Sequence, residues 1–146
     1  MGAVKKGLHK DRGIDGLIKK VHAVVDGLGN SLHFLLSPGT RNDIVYAQAL
    51  LEPFDLNGKK VLADMGYDQE KLCAYIRQQG GDPVIPSRIS TRIQREIDED
   101  EYRERHLVEN LFQKLKNHRR FATRYDKLDS HFAAVVSLAC MLSWLR

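Results

Sequence analysis

The stretch LIKKVHAVVDGLGNSLHFLLS, residues 17–37, decides how the chain must be read. Its first half, LIKKVHAVVD, mixes alternation with β-branched residues, as a half-buried strand does. GLGNS supplies the Gly and Asn that tolerate a tight reversal. LHFLLS then returns as a second strand. The pair predicts a β-hairpin.

Outward from the hairpin, PGTRND is a loop, with Asn42 or Asp43 placed to cap a helix through IVYAQALLE. KVLAD, ending at Asp64, predicts a short buried strand. GYD turns the chain, and QEKLCAYIRQQ predicts a helix stopped by Gly80 and Gly81. DPVIPSR predicts a short strand with prolines at its rims, near a sheet edge. RISTRIQREID, residues 88–98, is a polar link. Asp98 to Glu101 then place negative charge where a helix dipole favours it. One long helix is expected from there through Lys116, then a basic connection. The last helix, from about Ser130, is apolar nearly all round and is expected to be sandwiched. Strands and helices in this order predict a mixed α/β domain with helices covering a sheet.

The 146 residues are enough for one domain with a core. Lys and Arg exceed Asp and Glu by 23 to 19. From Tyr102 to Lys127 the count is eight to three, so the basic character sits in one segment and suits a phosphate backbone. Cys73 and Cys140 stand far apart in apolar settings, which predicts buried reduced thiols in a cytosolic protein. MGAVKKGLHKDRG lacks the apolar core of a signal peptide. FAAVVSLACMLSWLR is shorter than the ~20 residues that span a bilayer, so no membrane partner is expected. His22, His33, His106 and His118 show no ligand spacing; the last two add to the basic surface.

Two acids draw attention. On a helix through YRERHLVENLFQKLK, Tyr102, Arg105, Glu109 and Lys116 share a stripe about 60° wide at about 100° per residue. That stripe borders the apolar face of Leu107, Val108, Leu111, Phe112 and Leu115. Taken alone, it is also what an ordinary i,i+4 ion pair of Arg105 with Glu109 would produce. Asp64 ends a buried strand, where ligands gather in α/β sheets. It could instead cap the next helix, although Asp68 is better placed for that. Together, two carboxylates on rigid elements can hold Mg²⁺ with substrate phosphate oxygens. A pair of ions ~3.5–4 Å apart would clamp an in-line phosphoryl displacement.

With these residues in view, the chain resembles the C-terminal catalytic part of DDE transposases of bacterial insertion sequences, of the type with a Tyr-x2-Arg-x3-Glu-x6-Lys signature. Tyr102, Arg105, Glu109 and Lys116 meet that signature, and ADMGYD resembles the motif of the second aspartate, Asp64. GLIKKVHAVVDGLGNSLHFLLSPGTRND, NHRRFATRYDKL and SLACMLSWLR are similar to the same family, so the resemblance covers residues 13–146. It implies a ribonuclease-H-like fold and a bacterial cytoplasmic protein, nucleoid-associated when bound to DNA. It implies Mg²⁺-dependent (or Mn²⁺-dependent) cleavage at transposon ends, followed by attack of the freed 3′-hydroxyl on target DNA. Asp64 and Glu109 would be the catalytic acids and metal ligands. Arg105 and Lys116 would contact phosphate, Tyr102 would pack nearby, and Arg119 and Arg120 would add backbone contacts.

The family uses three acids, and the first normally ends a central strand upstream of the hairpin. Residues 1–12 contain no apolar strand ending in Asp. They are expected to lie outside the domain, which would then lack its first central strand. Asp26 follows apolar residues but opens the hairpin turn, so it is not expected to be that acid. The expectation is a second-frame or truncated part of a transposase, inactive alone, working with the upstream part or as an oligomer. A catalytically inactive DNA-binding or inhibitory remnant is the other reading.

Overall fold

A computed structural model describes residues 2–8, 19–38, 44–118 and 129–145. The hairpin forms as expected, with strand β2 at Lys19–Val25 and β3 at Ser31–Pro38. Helix α1 is Ile44–Leu51, β4 is Lys60–Ala63, α2 is Glu70–Gln78 and β5 is Asp82–Val84. A single 3₁₀ turn, Met65–Tyr67, separates β4 from α2. Helices α3, Glu99–Arg103, and α4, His106–Lys116, precede the last helix α5, Asp129–Trp144. Residues 39–43, with the expected caps Asn42 and Asp43, lie outside the described residues, as do Arg119 and Arg120.

One expectation is corrected. The middle of the sheet is not vacant, because β1, Gly2–Leu8, occupies it. The strand order is β3-β2-β1-β4-β5, with β1 antiparallel to β2 and parallel to β4. Residues 2–8 therefore belong to the sheet rather than to a stretch outside the domain. GAVKKGL has one β-branched residue and two lysines, so alternation does not reveal it. It is held by two rows of backbone groups on β2 and β4 that would otherwise stay unpaired. The strand is present, but it carries no acid.

Side-chain alternation sorts the core into two layers. Val21, Ala23 and Val25 of β2, Leu62 of β4 and Val84 pack against Val108, Leu111, Phe112 and Leu115 of α4 and against Phe132, Val136, Ala139 and Cys140 of α5. Their sequence neighbours Val24, Val61, Ala63 and Ile85 face the opposite way, onto Ala47, Leu50 and Leu51 of α1 and Leu72, Cys73 and Ile76 of α2. β5 is an edge strand, as its prolines required. Gly80, at φ +77, follows α2 in the left-handed conformation that ends a helix.

The last helix departs from expectation. One face of α5 is buried, while Leu138, Met141 and Trp144 are more than half exposed. Among the described residues, the sheet and α4 cover one side of this all-round apolar helix. No described helix is long and apolar enough to cross a membrane.

Candidate active site

Asp64 follows Ala63 in extended conformation, at φ −75 and ψ 167. Strand parity therefore continues through it. Ala63 faces α1 and α2, so Asp64 takes the parity of Leu62, on the side of α4. Its Oδ1 accepts the Gly66 N–H at 2.8 Å, capping the 3₁₀ turn. A Cβ on Gly66 would come within 2.8 Å of that oxygen, so the glycine makes room for the carboxylate. The turn expected at GYD forms here, and the Asp-x-Gly spacing marks the cap that Asp64 makes on Gly66.

The expected cap at Asp68 is corrected. Gln69 is the N-cap residue of α2 and makes no side-chain cap. Asp68 turns instead to the loop after β5. It accepts the Arg88 N–H at 2.6 Å and the Thr91 hydroxyl at 3.2 Å, and it pairs with Arg95. Long-range contacts of this kind leave no periodic trace.

The signature segment is not one straight helix. α3 ends at Arg103 and α4 begins at His106. Between them the backbone tightens, with Arg105 N–H bonding Tyr102 O at 3.1 Å and Leu107 N–H bonding Glu104 O at 3.0 Å. These are i→i−3 bonds, which rotate successive side chains by about 120° rather than 100°. Asp98 starts the segment by accepting the N–H groups of Asp100 and Glu101. Glu101 pairs with Lys60 at the start of β4 and ties α3 to the sheet.

Three of the four signature residues still touch. The Arg105 guanidinium lies 5.2 Å from the centre of the Tyr102 ring. It also pairs with Glu109 at 3.3 Å. The simple i,i+4 ion pair is thus real, and it is joined to something more. Burial raises the Tyr102 phenol above its usual range, Arg105 opposes this, and the charge of Asp64 raises it further. Tyr102 therefore feels the charges of both Arg105 and the strand-end acid. Lys116 is exposed near the far end of α4. A cavity of about 410 Å³ lies on the opposite border of α4, lined by Leu28, Gly29, Leu107 and Lys114, away from the acids.

Asp26 sits in the hairpin turn, as expected. Its carboxylate accepts from the N–H groups of Leu28 and Asn30 at 2.8 and 2.9 Å and from the Asn30 side chain at 3.1 Å. His22 is a core histidine, bonded to the Ser37 hydroxyl at 2.8 Å and the Tyr67 hydroxyl at 3.2 Å and stacked on Tyr46. Among the described residues no group of three or more His, Cys, Asp or Glu side chains could hold a metal. β1 pairs with β4 as far as Val4 opposite Ala63, the residue before Asp64.

The family model described as "Transposase DDE domain" matches residues 3–144. The chain is 39% identical over 131 residues to a putative transposase for insertion sequence element IS6501 from Brucella ovis, covering 87% of this chain and 98% of that protein. Among solved structures, a piggyBac transposase in a synaptic complex with hairpin DNA matches with a TM-score of 0.46 at 15% identity. That match covers 68% of this chain but only 24% of the piggyBac chain. The family match spans almost the whole chain and the Brucella protein is alike over nearly all its length, and so this chain belongs to the DDE transposases of insertion sequences.

Proposed function

We propose that the chain handles insertion-sequence DNA in metal-dependent transposition, on a ribonuclease-H-like fold, with Asp64 and Glu109 as its metal-binding acids. The observation that carries this is the contact of Tyr102, Arg105 and Glu109 on the α4 side of the sheet, with Asp64 at the end of β4. Arg105 and Lys116 take phosphates, and Tyr102 holds Arg105 in place. Two carboxylates suit one Mg²⁺ or Mn²⁺, with DNA phosphate oxygens and water completing the shell. When bound, such an ion polarises the phosphodiester and activates water. Asp64 and Glu109 would hold it, and Arg105 would swing from Glu109 to the incoming phosphate.

The chain alone does not cleave DNA in this reading. No third described acid joins the pair. A second polypeptide, or another copy, supplies what is missing. The protein acts in the bacterial cytoplasm, on the nucleoid when bound to DNA. The basic segment from Tyr102 to Lys127 supports a second reading, a DNA-binding or inhibitory module with no chemistry of its own.

Mn²⁺ titration in the presence of duplex DNA tests the acids. Loss of binding is expected in Asp64→Asn and Glu109→Gln. Equal Mn²⁺ binding by wild type and both variants would remove the two acids from any metal site, and salt-dependent DNA binding unaffected by Asp64→Asn would then support the second reading. Metal-dependent nicking by the purified 146-residue chain, abolished by Glu109→Gln, would show that it needs no helper.

A further inference from the structure

The loop between β5 and α3, residues 86–97, is polar in sequence and irregular in backbone, yet it is strongly braced. Asp68 accepts from Arg88 N–H, the Thr91 hydroxyl and Arg95. Arg95 also donates to Ile85 O at 3.2 Å, and its own N–H reaches the Ser87 hydroxyl at 2.9 Å. The Gln94 side chain donates to Arg88 O at 3.0 Å and Thr91 O at 2.7 Å. Ile97 packs against the α4 side of the core.

This framework turns four side chains outward. Ile89 is 93% exposed and Ile93 is 82% exposed, and Arg88 and Arg92 are exposed beside them. Arg95 already pairs with Asp68 and Glu70. Arg88 lies next to the acid site, because its guanidinium donates to Gly66 O at 3.4 Å and Gly66 N–H is held by Asp64. A braced loop that spends two isoleucines on solvent, each beside an arginine, fits a polyanion with apolar faces.

We propose that residues 88–93 form a DNA-holding rim next to Asp64. Arg88 and Arg92 take backbone phosphates, and Ile89 and Ile93 lie against the sugars and bases between them. The proposal rests on the reading of this chain as a DNA-handling protein.

The experiment is fluorescence anisotropy of a labelled DNA duplex with the full chain across a salt series. Arg88→Ala with Arg92→Ala is expected to flatten the slope of log affinity against log salt by about 2, since each lost phosphate contact removes about 0.9. Lysines at both positions should restore it. The matched pair Lys71→Ala with Arg77→Ala on α2 should leave the slope unchanged. Ile89→Ser with Ile93→Ser should weaken binding about tenfold or more at unchanged slope. All six substituted side chains are exposed, and equal melting temperatures confirm intact folding. If wild type binds DNA but the arginine pair behaves like the control pair, the rim is refuted while the DNA-handling reading stands. If wild type binds no DNA, that reading itself fails and takes the rim with it. If the isoleucine pair abolishes self-association and leaves DNA affinity untouched, the loop is a protein interface and the proposal is wrong.

Discussion

At the scale of single residues, carboxylates in this chain are defined by the N–H groups they face. Asp26 closes the hairpin turn with three accepted hydrogen bonds. Asp26→Ala should cost about 1–2 kcal/mol, read as a shift in chemical denaturation midpoint. Asp64 and Gly66 work as a unit, and the Cβ of Gly66→Ala would displace the Asp64 carboxylate rather than the backbone. That variant should melt close to wild type yet lose Mn²⁺ binding in the presence of DNA. Equal Mn²⁺ binding would show that the carboxylate position is immaterial. Asp26 and Asp64 were legible because a turn and a strand end mark themselves locally. The partners of Asp68 were not, because they sit 20 or more residues away.

At the scale of elements, pairing in space outweighed propensity. The hairpin and the strand at Asp64 were legible from alternation and apolar character, and the structure keeps them. β1 was not, since its strand state comes from neighbours on both sides. Val4→Pro removes a donor from a central strand whose residue pairs with Val24 and Ala63. A loss of about 3 kcal/mol or more is expected in thermal or urea unfolding; an unchanged midpoint would mean that residues 2–8 do not belong to the sheet. The break between α3 and α4 was equally hidden, because both halves keep right-handed helical backbone. The β5–α3 loop depends on Asp68, so Asp68→Ala should expose Arg88 and Arg92 to faster trypsin cleavage. An unaltered cleavage rate would show that the loop is held by something else.

At the scale of the whole molecule, the sheet is a partition between two apolar layers. Cys73 and Cys140 lie in different layers, and burial raises both thiols. Both should resist a thiol reagent until denaturant is added. Acid should act on the fold through Asp26 and Asp68. Burial pushes each carboxyl up, but hydrogen bonds from Asn30 in one case, and from Arg88 and Arg95 in the other, bring both below 3.8. Since the unfolded chain then binds more protons, their stabilisation is complete above pH 3.8 and is lost as pH falls through the lower folded values. A wild-type stability curve that stays flat below that pH would contradict this.

The sequence by itself determined the hairpin, the two-faced helices, the basic segment and the family. Each of these rests on local pattern, which neighbours in the chain can express. Only the tertiary structure decided that a lysine-bearing strand fills the centre of the sheet, that the Arg105 guanidinium lies over the Tyr102 ring, and that Asp68 braces a loop rather than caps a helix. Those outcomes depend on backbone groups and charges brought together from distant positions, where periodicity carries no information.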